Sequence, residues 1–152
     1  MKQFPILISL ILYVLSLFSP AFLFIRSFPS SGSSTVSPQV MNGFSILLMG
    51  WIGCFFNQFG WFANPLYGLS LYLLWQRRSQ AAAVSSAGAI IIAAINTLLL
   101  FGQTLPADEA GVGKLTLHHL ERGYYFWALA LLIPLVASII LGWRSRLRLP
   151  LN

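Results

Sequence analysis

The chain has 152 residues, of which 57% are hydrophobic and 8% are charged, and its formal net charge is +6. Soluble domains are about 25% charged, so this composition excludes an ordinary soluble globular domain. All charged residues lie outside four apolar runs, at residues 5–25, 43–76, 81–101 and 124–143. About 20 helical residues cross a bilayer, and a charge at its centre is costly. The sequence therefore predicts an all-α fold, a single membrane domain over residues 1–152 built as a bundle of four transmembrane helices.

The first apolar run has two interpretations. Lys2, a long apolar stretch and Ser19-Pro20-Ala21 together resemble a signal peptide with a small-residue cleavage site. The run continues to Ile25, however, which favours an uncleaved anchor whose last turns are loosened by Pro20. Residues 26–42, rich in Ser, Pro and Gly, are predicted to form a flexible outer loop.

The second run, residues 43–76, would be about 51 Å long as a straight helix, which exceeds one upright span. We expect one tilted crossing that breaks near residues 62–65, since proline disfavours helix at the residue before it. Two crossings are the alternative. Small and amide residues recur in this run at seven-residue spacing, and in a membrane such residues let helices approach and hydrogen-bond. With Asn96 of the third run they define a predicted packing or partner-docking stripe: Gly43, Gly50, Gly53, Asn57, Gly60, Asn64 and Asn96.

The third and fourth runs are predicted to be regular helices. The third, residues 81–101, is rich in Ala, Ser and Gly, and is the expected packing partner of the stripe. The fourth, residues 124–143, contains Pro134, which has no backbone N–H and leaves the Ala130 carbonyl without its helical partner. A kink is expected there.

The basic residues predict the orientation. With the N-terminus inside, 6 of the 9 Lys and Arg residues lie on the cytoplasmic side, as the positive-inside rule requires. Both termini are then cytoplasmic, in the inner membrane of a bacterial cell. The predicted interface anchors are Trp75, Arg77, Arg78, Trp143, Arg144, Arg146 and Arg148. Because the basic residues flank the spans, we expect the bilayer, and no nucleic acid, to be their partner.

The residues carry no recognisable catalytic or metal-binding pattern. His118, His119 and Glu121 are near one another, with Asp108 and Glu109 in the same loop, but HHxE is not a known zinc spacing. No acid or histidine lies within the spans to activate a serine. The single cysteine, Cys54, excludes an internal disulfide. The sequence thus predicts a non-enzyme with no cofactor and no metal.

Three short motifs carry a family resemblance: Gly50-Trp51, residues 61–67 and residues 123–127. They resemble stretches of small, uncharacterised four-helix bacterial inner-membrane proteins. The resemblance implies a fold and a location, and it brings no catalytic residue.

The leading functional hypothesis is a non-catalytic interaction protein, either an accessory subunit or an immunity-type protein, that acts through helix–helix contacts. Its partner would be another membrane protein or a second copy of the chain. The alternative is a small oligomeric transporter or channel, which the interruptions at Asn64-Pro65 and Pro134 favour.

Overall fold

The computed structural model describes residues 3–28, 35–108 and 111–146, with no side-chain description for 145 and 146. Within these residues the five α-helices are α1 (Phe4–Phe18), α2 (Gly43–Met49), α3 (Ala63–Trp75), α4 (Ser79–Gly102) and α5 (Arg122–Arg146). The four strands are β1 (Pro20–Phe28), β2 (Thr35–Asn42), β3 (Thr104–Pro106) and β4 (Lys114–Leu120). Two 3-10 helices, Gly50–Phe56 and Gly60–Phe62, connect α2 to α3.

The four strands form one antiparallel sheet at one end of the helices. Its strand order is β2-β1-β4-β3, and Leu23 of β1 pairs with Val40 on one side and His119 on the other. Each strand adjoins a helix in the chain: α1 leads into β1, β2 into α2, α4 into β3, and β4 into α5. These junctions place the sheet over the ends of α1 and α4 and the beginnings of α2 and α5. We call this the sheet end.

The opposite end of the helices carries the basic residues of the α3–α4 turn. The start of α1 lines a pocket together with Leu71 and Trp75 of α3, and Gly142 near the end of α5 lies beside Ser79. Arg77 and Arg78 form the connection between α3 and α4. We call this the basic end.

Three apolar clusters stack between the two ends. Leu74, Ala82 and Ala137 form the cluster at the basic end. The middle cluster is mostly small side chains, which let the helix backbones approach one another. It contains Ala63, Tyr67, Leu71, Ala89, Ala93, Ala130 and Leu131. The cluster beneath the sheet contains Phe24, Leu100, Leu115 and Leu117.

Two helices, Ser79–Gly102 and Arg122–Arg144, are long and apolar enough to span a membrane. Of the most apolar stretch of each, 33% and 28% respectively are buried, so most of their apolar surface faces outward. At 1.5 Å per residue α4 is about 36 Å long, whereas the 15 residues of α1 and the 13 of α3 reach about 23 and 20 Å. Of the described helices, only α4 and α5 match the roughly 30 Å hydrocarbon core.

The predicted four-helix transmembrane bundle is wrong, because the chain combines five helices with a four-stranded sheet and has two candidate spans in its described residues. The first predicted span, residues 5–25, ends as a helix at Phe18, and its last six residues belong to β1. Pro20 does not loosen a helix there. It is the first residue of a strand, a position where its missing N–H is tolerated.

The predicted outer loop at residues 26–42 and the loop that holds the histidines and acids also contain strands. The interval 26–42 includes the end of β1 and all of β2, and the loop after α4 contains β3 and β4. Hydropathy alone does not separate a buried strand from a buried helix. The period of two was visible, however, because Leu115 and Leu117 alternate with polar neighbours and both are buried.

The second predicted span, residues 43–76, is not one interrupted helix. Its non-α section extends from Gly50 to Phe62, before the predicted break, and Asn64-Pro65 lies in the first turn of α3. Proline fits a first helical turn, since those N–H groups have no helical partner to lose.

Candidate functional site

A cavity of about 440 Å³ lies at the sheet end, between the Gly43–Phe62 connection, the sheet and the helices. Its walls include Tyr13 of α1, Phe24 of β1, Ile46 of α2, Thr97 of α4 and Tyr124 of α5. Among the described residues, no charged side chain lines it. A volume of 300–1,000 Å³ with mostly apolar walls and a few polar groups is typical of small-molecule sites.

Three amide side chains form a connected group beside the cavity, which we call the amide cluster: Gln58, Asn96 and Gln103. Asn96 of α4 is central to it. Its Nδ2 donates to Gln58 Oε1 at 2.7 Å, and its Oδ1 accepts from the Phe59 backbone N–H at 2.6 Å. Gln58 Nε2 in turn donates to Gln103 Oε1. The cluster thus fastens the non-α connection to α4, and it satisfies polar groups that would be costly to leave unpaired in an apolar setting.

Gly60 makes this contact with α4 sterically feasible. A Cβ atom built on Gly60 would lie 2.7 Å from Asn96 Nδ2 and 3.0 Å from its Cγ. Any larger residue would displace the central amide of the cluster.

Asn64 forms a second polar centre on the cavity wall. Its Oδ1 accepts from Trp127 Nε1 at 2.9 Å and from the Tyr13 hydroxyl at 3.1 Å, which links α3 to α5 and α1. Within the described residues its Nδ2 donates to no protein acceptor, although Asn64 lines the cavity. Asn64 therefore contributes to the cavity wall an amide whose Nδ2 has no acceptor among the described residues.

The predicted stripe is distributed over several elements instead of one helix face. Six of its seven members nevertheless line the cavity: Gly43, Gly50, Gly53, Gly60, Asn64 and Asn96. The seventh, Asn57, is exposed and ends the first 3-10 helix in a left-handed conformation at φ 59°. Its side chain is not in the cavity wall.

The stripe glycines are points of close internal packing. A Cβ on Gly43 would lie 2.3 Å from the Ser16 carbonyl oxygen, one on Gly50 would lie 3.0 Å from the Trp61 ring, and one on Gly53 would lie 3.0 Å from Gln58. Sequence reasoning missed Gln58, Gln103, Tyr13 and Trp127. The signal for the two glutamines was an amide within or at the end of an apolar run, where it needs a partner.

A second polar contact crosses the middle of the helices at the proline of α5. Ser9 Oγ of α1 donates to the Ala130 carbonyl at 2.8 Å, which is the carbonyl that Pro134 leaves without a helical donor. Since the one hydroxyl hydrogen of Ser9 is used there, the Tyr67 hydroxyl donates to Ser9 Oγ, at 2.8 Å. Ser9 is fully buried. The three residues join α1, α3 and α5.

The interface anchors predicted at the basic end are exposed where the structure describes them. Trp75 is 66% exposed and Trp143 is 71% exposed, and Arg77, Arg78 and Arg144 are exposed as well. Of the other two predicted anchors, the side chain of Arg146 and all of Arg148 lie outside the described residues.

The polar loop residues do not converge on one point. His119 pairs with Glu121 at 3.0 Å, while Asp108 accepts from the Val112 and Gly113 backbone N–H groups. His118 and His119 lie in β4, and Glu109 lies outside the described residues. Across the described part of the chain, no three His, Cys, Asp or Glu residues are grouped as metal ligands would be.

Comparison with known proteins identifies no relative. No family model matches the chain, and neither the curated proteins nor the solved structures contain a match.

Proposed function

We propose that the chain is a multi-pass integral membrane protein of the bacterial inner membrane, with both termini in the cytoplasm. The outward faces of α4 and α5 support this proposal. On α4, Val84, Ile91 and Leu98 are 74%, 57% and 73% exposed at seven-residue spacing. Exposure of so many aliphatic side chains along one helix face is unfavourable in water and favourable in lipid.

The distribution of charge supports the orientation. Arg77, Arg78 and Arg144 belong to the basic end, which has no described acidic residue. The sheet end carries Asp108 and Glu121 among its basic residues. Excess Arg and Lys marks the cytoplasmic side, so the sheet end and its cavity would face outward.

Within the membrane the protein acts as a non-catalytic interaction protein, of the accessory or immunity type. One observation carries this part of the proposal: no described residue that lines the cavity at the sheet end has a charged or histidine side chain. Acid–base and nucleophilic catalysis require such groups near the reacting atoms. The exposed face of α4 that carries Val84, Ile91 and Leu98 offers apolar side chains to a neighbouring helix or to lipid.

Site-specific photo-crosslinking from α4 tests the interaction role. A photoreactive amino acid replaces Val84 or Leu98, and a matched control replaces Val136, which is 52% exposed on α5. A partner helix on α4 gives one discrete adduct from both α4 positions and none from α5. Equal lipid adducts from all three positions, with no protein adduct, would contradict the interaction role.

A small oligomeric transporter or channel is the second candidate. The non-α backbone of Gly50–Phe62 favours it, because irregular backbone within a membrane protein is tolerated where it lines a cavity. It predicts solute flux in liposomes that Asn57→Leu or Asn64→Leu abolishes at normal expression. Flux by the purified protein alone would overturn the interaction role, and flux that survives both substitutions would leave the amides with a packing role only.

A further inference from the structure

We infer that the cavity at the sheet end binds one acyl chain together with its ester carbonyl. The first support is the charge of the walls: no described lining residue is charged, so the buried part of the ligand is neutral. A phosphate or ammonium group would lose its hydration there without a compensating partner. The part of the ligand inside the cavity is therefore uncharged.

The walls also define the body of the ligand. Phe24, Ile46, Ile52 and Leu100 are among the apolar side chains that line the cavity. A cavity of about 150 Å³ holds one benzene molecule, so about 440 Å³ holds roughly three, on the order of 18 carbon atoms. This is the size of a single acyl chain, and it is too small for two.

Asn64 specifies the polar end. Its Oδ1 accepts hydrogen bonds from Trp127 and Tyr13, and those two contacts fix the orientation of the amide. The Nδ2 group is then the part of the side chain that can bond to a ligand. An ester carbonyl is a neutral acceptor, and it would take the hydrogen bond that Nδ2 makes to no described protein atom. A bound alkane would leave this donor without an acceptor, and the free energy lost in this way disfavours a pure hydrocarbon as the ligand.

Lipids would reach the cavity from the side of the Gly50–Phe62 connection. Aromatic side chains on this connection face outward, with Trp51, Phe55 and Phe59 exposed by 50%, 74% and 50%. Tryptophan is typical of the membrane–water interface, where the esters of bilayer lipids lie, and the two phenylalanines offer apolar surface to lipid chains. The inference rests on the proposed membrane location and does not depend on the proposed partner.

Photolabelling of the purified full-length protein in phosphatidylcholine vesicles tests the inference. The probe is a long-chain monoacylglycerol with a diazirine in its chain, and adducts are mapped by peptide mass spectrometry. We expect adducts on residues 43–61 and 93–100, and competition by excess unlabelled monoacylglycerol. Adducts spread over the outward faces of α4 and α5 without competition would overturn the proposal.

Two variants sharpen the result. Asn64→Leu removes the Nδ2 donor together with the acceptor of Trp127 and Tyr13. It should reduce cavity labelling by at least about fivefold, the effect expected for the loss of one hydrogen bond to the ligand. Gln76→Leu removes an exposed amide at the basic end and should leave labelling unchanged. If Asn64→Leu does not fold, competition in the unsubstituted protein decides alone.

A second probe distinguishes the source of the acyl ester. Phosphatidylcholine with the same photoreactive chain labels the cavity if an intact membrane lipid inserts one chain, whereas a released neutral lipid gives labelling by the monoacylglycerol only. Cavity labelling by neither probe overturns the inference. Protein that fails to float with the vesicles contradicts the membrane location instead, so the two failures are distinguishable.

Discussion

Ser9 illustrates how one residue compensates for another in a different helix. Pro134 removes a backbone donor from α5, and Ser9 of α1 supplies a hydroxyl to the Ala130 carbonyl that results. The free carbonyl was predicted from the proline alone. The identity of its donor was not, because the sequence does not show which serine of which helix would face it.

The Ser9–Pro134 pair is testable by a double-mutant cycle. Ser9→Ala should lower the unfolding free energy by about 1–2 kcal/mol, because the Ala130 carbonyl loses its donor. In a Pro134→Ala background the helix regains its own bond, so the same substitution should cost about 1 kcal/mol less. Unfolding in mixed micelles measures both values. Strictly additive costs would show that Ser9 and Pro134 are not coupled.

Gly60 and Gly68 give a matched pair of glycine substitutions. Gly60→Ala places a methyl group 2.7 Å from Asn96 Nδ2, and should destabilise the protein by about 1–3 kcal/mol while disrupting the amide cluster. Gly68→Ala meets no atom within 4 Å in α3 and should stabilise the helix by about 0.5–1 kcal/mol. Thermal midpoints in detergent give the signs. A stabilising Gly60→Ala would contradict the packing described for the cavity.

At the scale of elements, the turn between α3 and α4 depends on a strained arginine. Arg77 has φ 64°, and its N–H and that of Arg78 bond back to Leu74 and Leu73 as in a Schellman helix ending. This position usually holds glycine, because a side chain is unfavourable there by about 1–2 kcal/mol. The proposed cytoplasmic location of this end would account for an arginine here, since basic residues mark that side of a membrane.

Replacement of this arginine separates backbone strain from charge. Arg77→Gly should raise the thermal stability, by about 1 kcal/mol, because glycine adopts a positive φ without strain. Arg78→Gly, at the N-cap of α4 with a negative φ of −87°, relieves no such strain and should change the stability little while it removes the same charge. Comparison of the two melting curves isolates the backbone effect. A fall in stability for Arg77→Gly would show that its side chain stabilises the turn.

The elements differ in how well the sequence predicted them. The spans predicted at 81–101 and 124–143 agree with α4 and α5 to within about three residues, because long apolar runs bounded by charges admit few other structures. Strand β1 was missed because Ala21, Phe22, Leu23 and Phe24 continue the hydropathy of α1. Only pairing with the following strand β2 and with β4, which lies far along the chain, makes this segment a strand.

At the scale of the molecule, the composition of the second run indicated residues that line the cavity, but the predicted geometry of that run was wrong. The small and amide residues of 43–64 were singled out on the assumption of one helix. They meet at the cavity because the 3-10 helices fold the chain back on itself. A seven-residue repeat cannot reveal that fold, since it depends on Gln58 and Phe59 bonding to Asn96, which lies 38 and 37 residues further along the chain.

The central claim is that the protein lies in the membrane with its sheet end outside and its basic end inside. Cysteine labelling in intact cells tests it most directly, after Cys54→Ala removes the one native thiol. Val36→Cys lies on an exposed strand at the sheet end, and Gln80→Cys lies on an exposed position at the start of α4. A membrane-impermeant maleimide should label the Val36 variant in intact cells and the Gln80 variant only after permeabilisation. Labelling of both only after permeabilisation, or of the Gln80 variant first, would contradict the account.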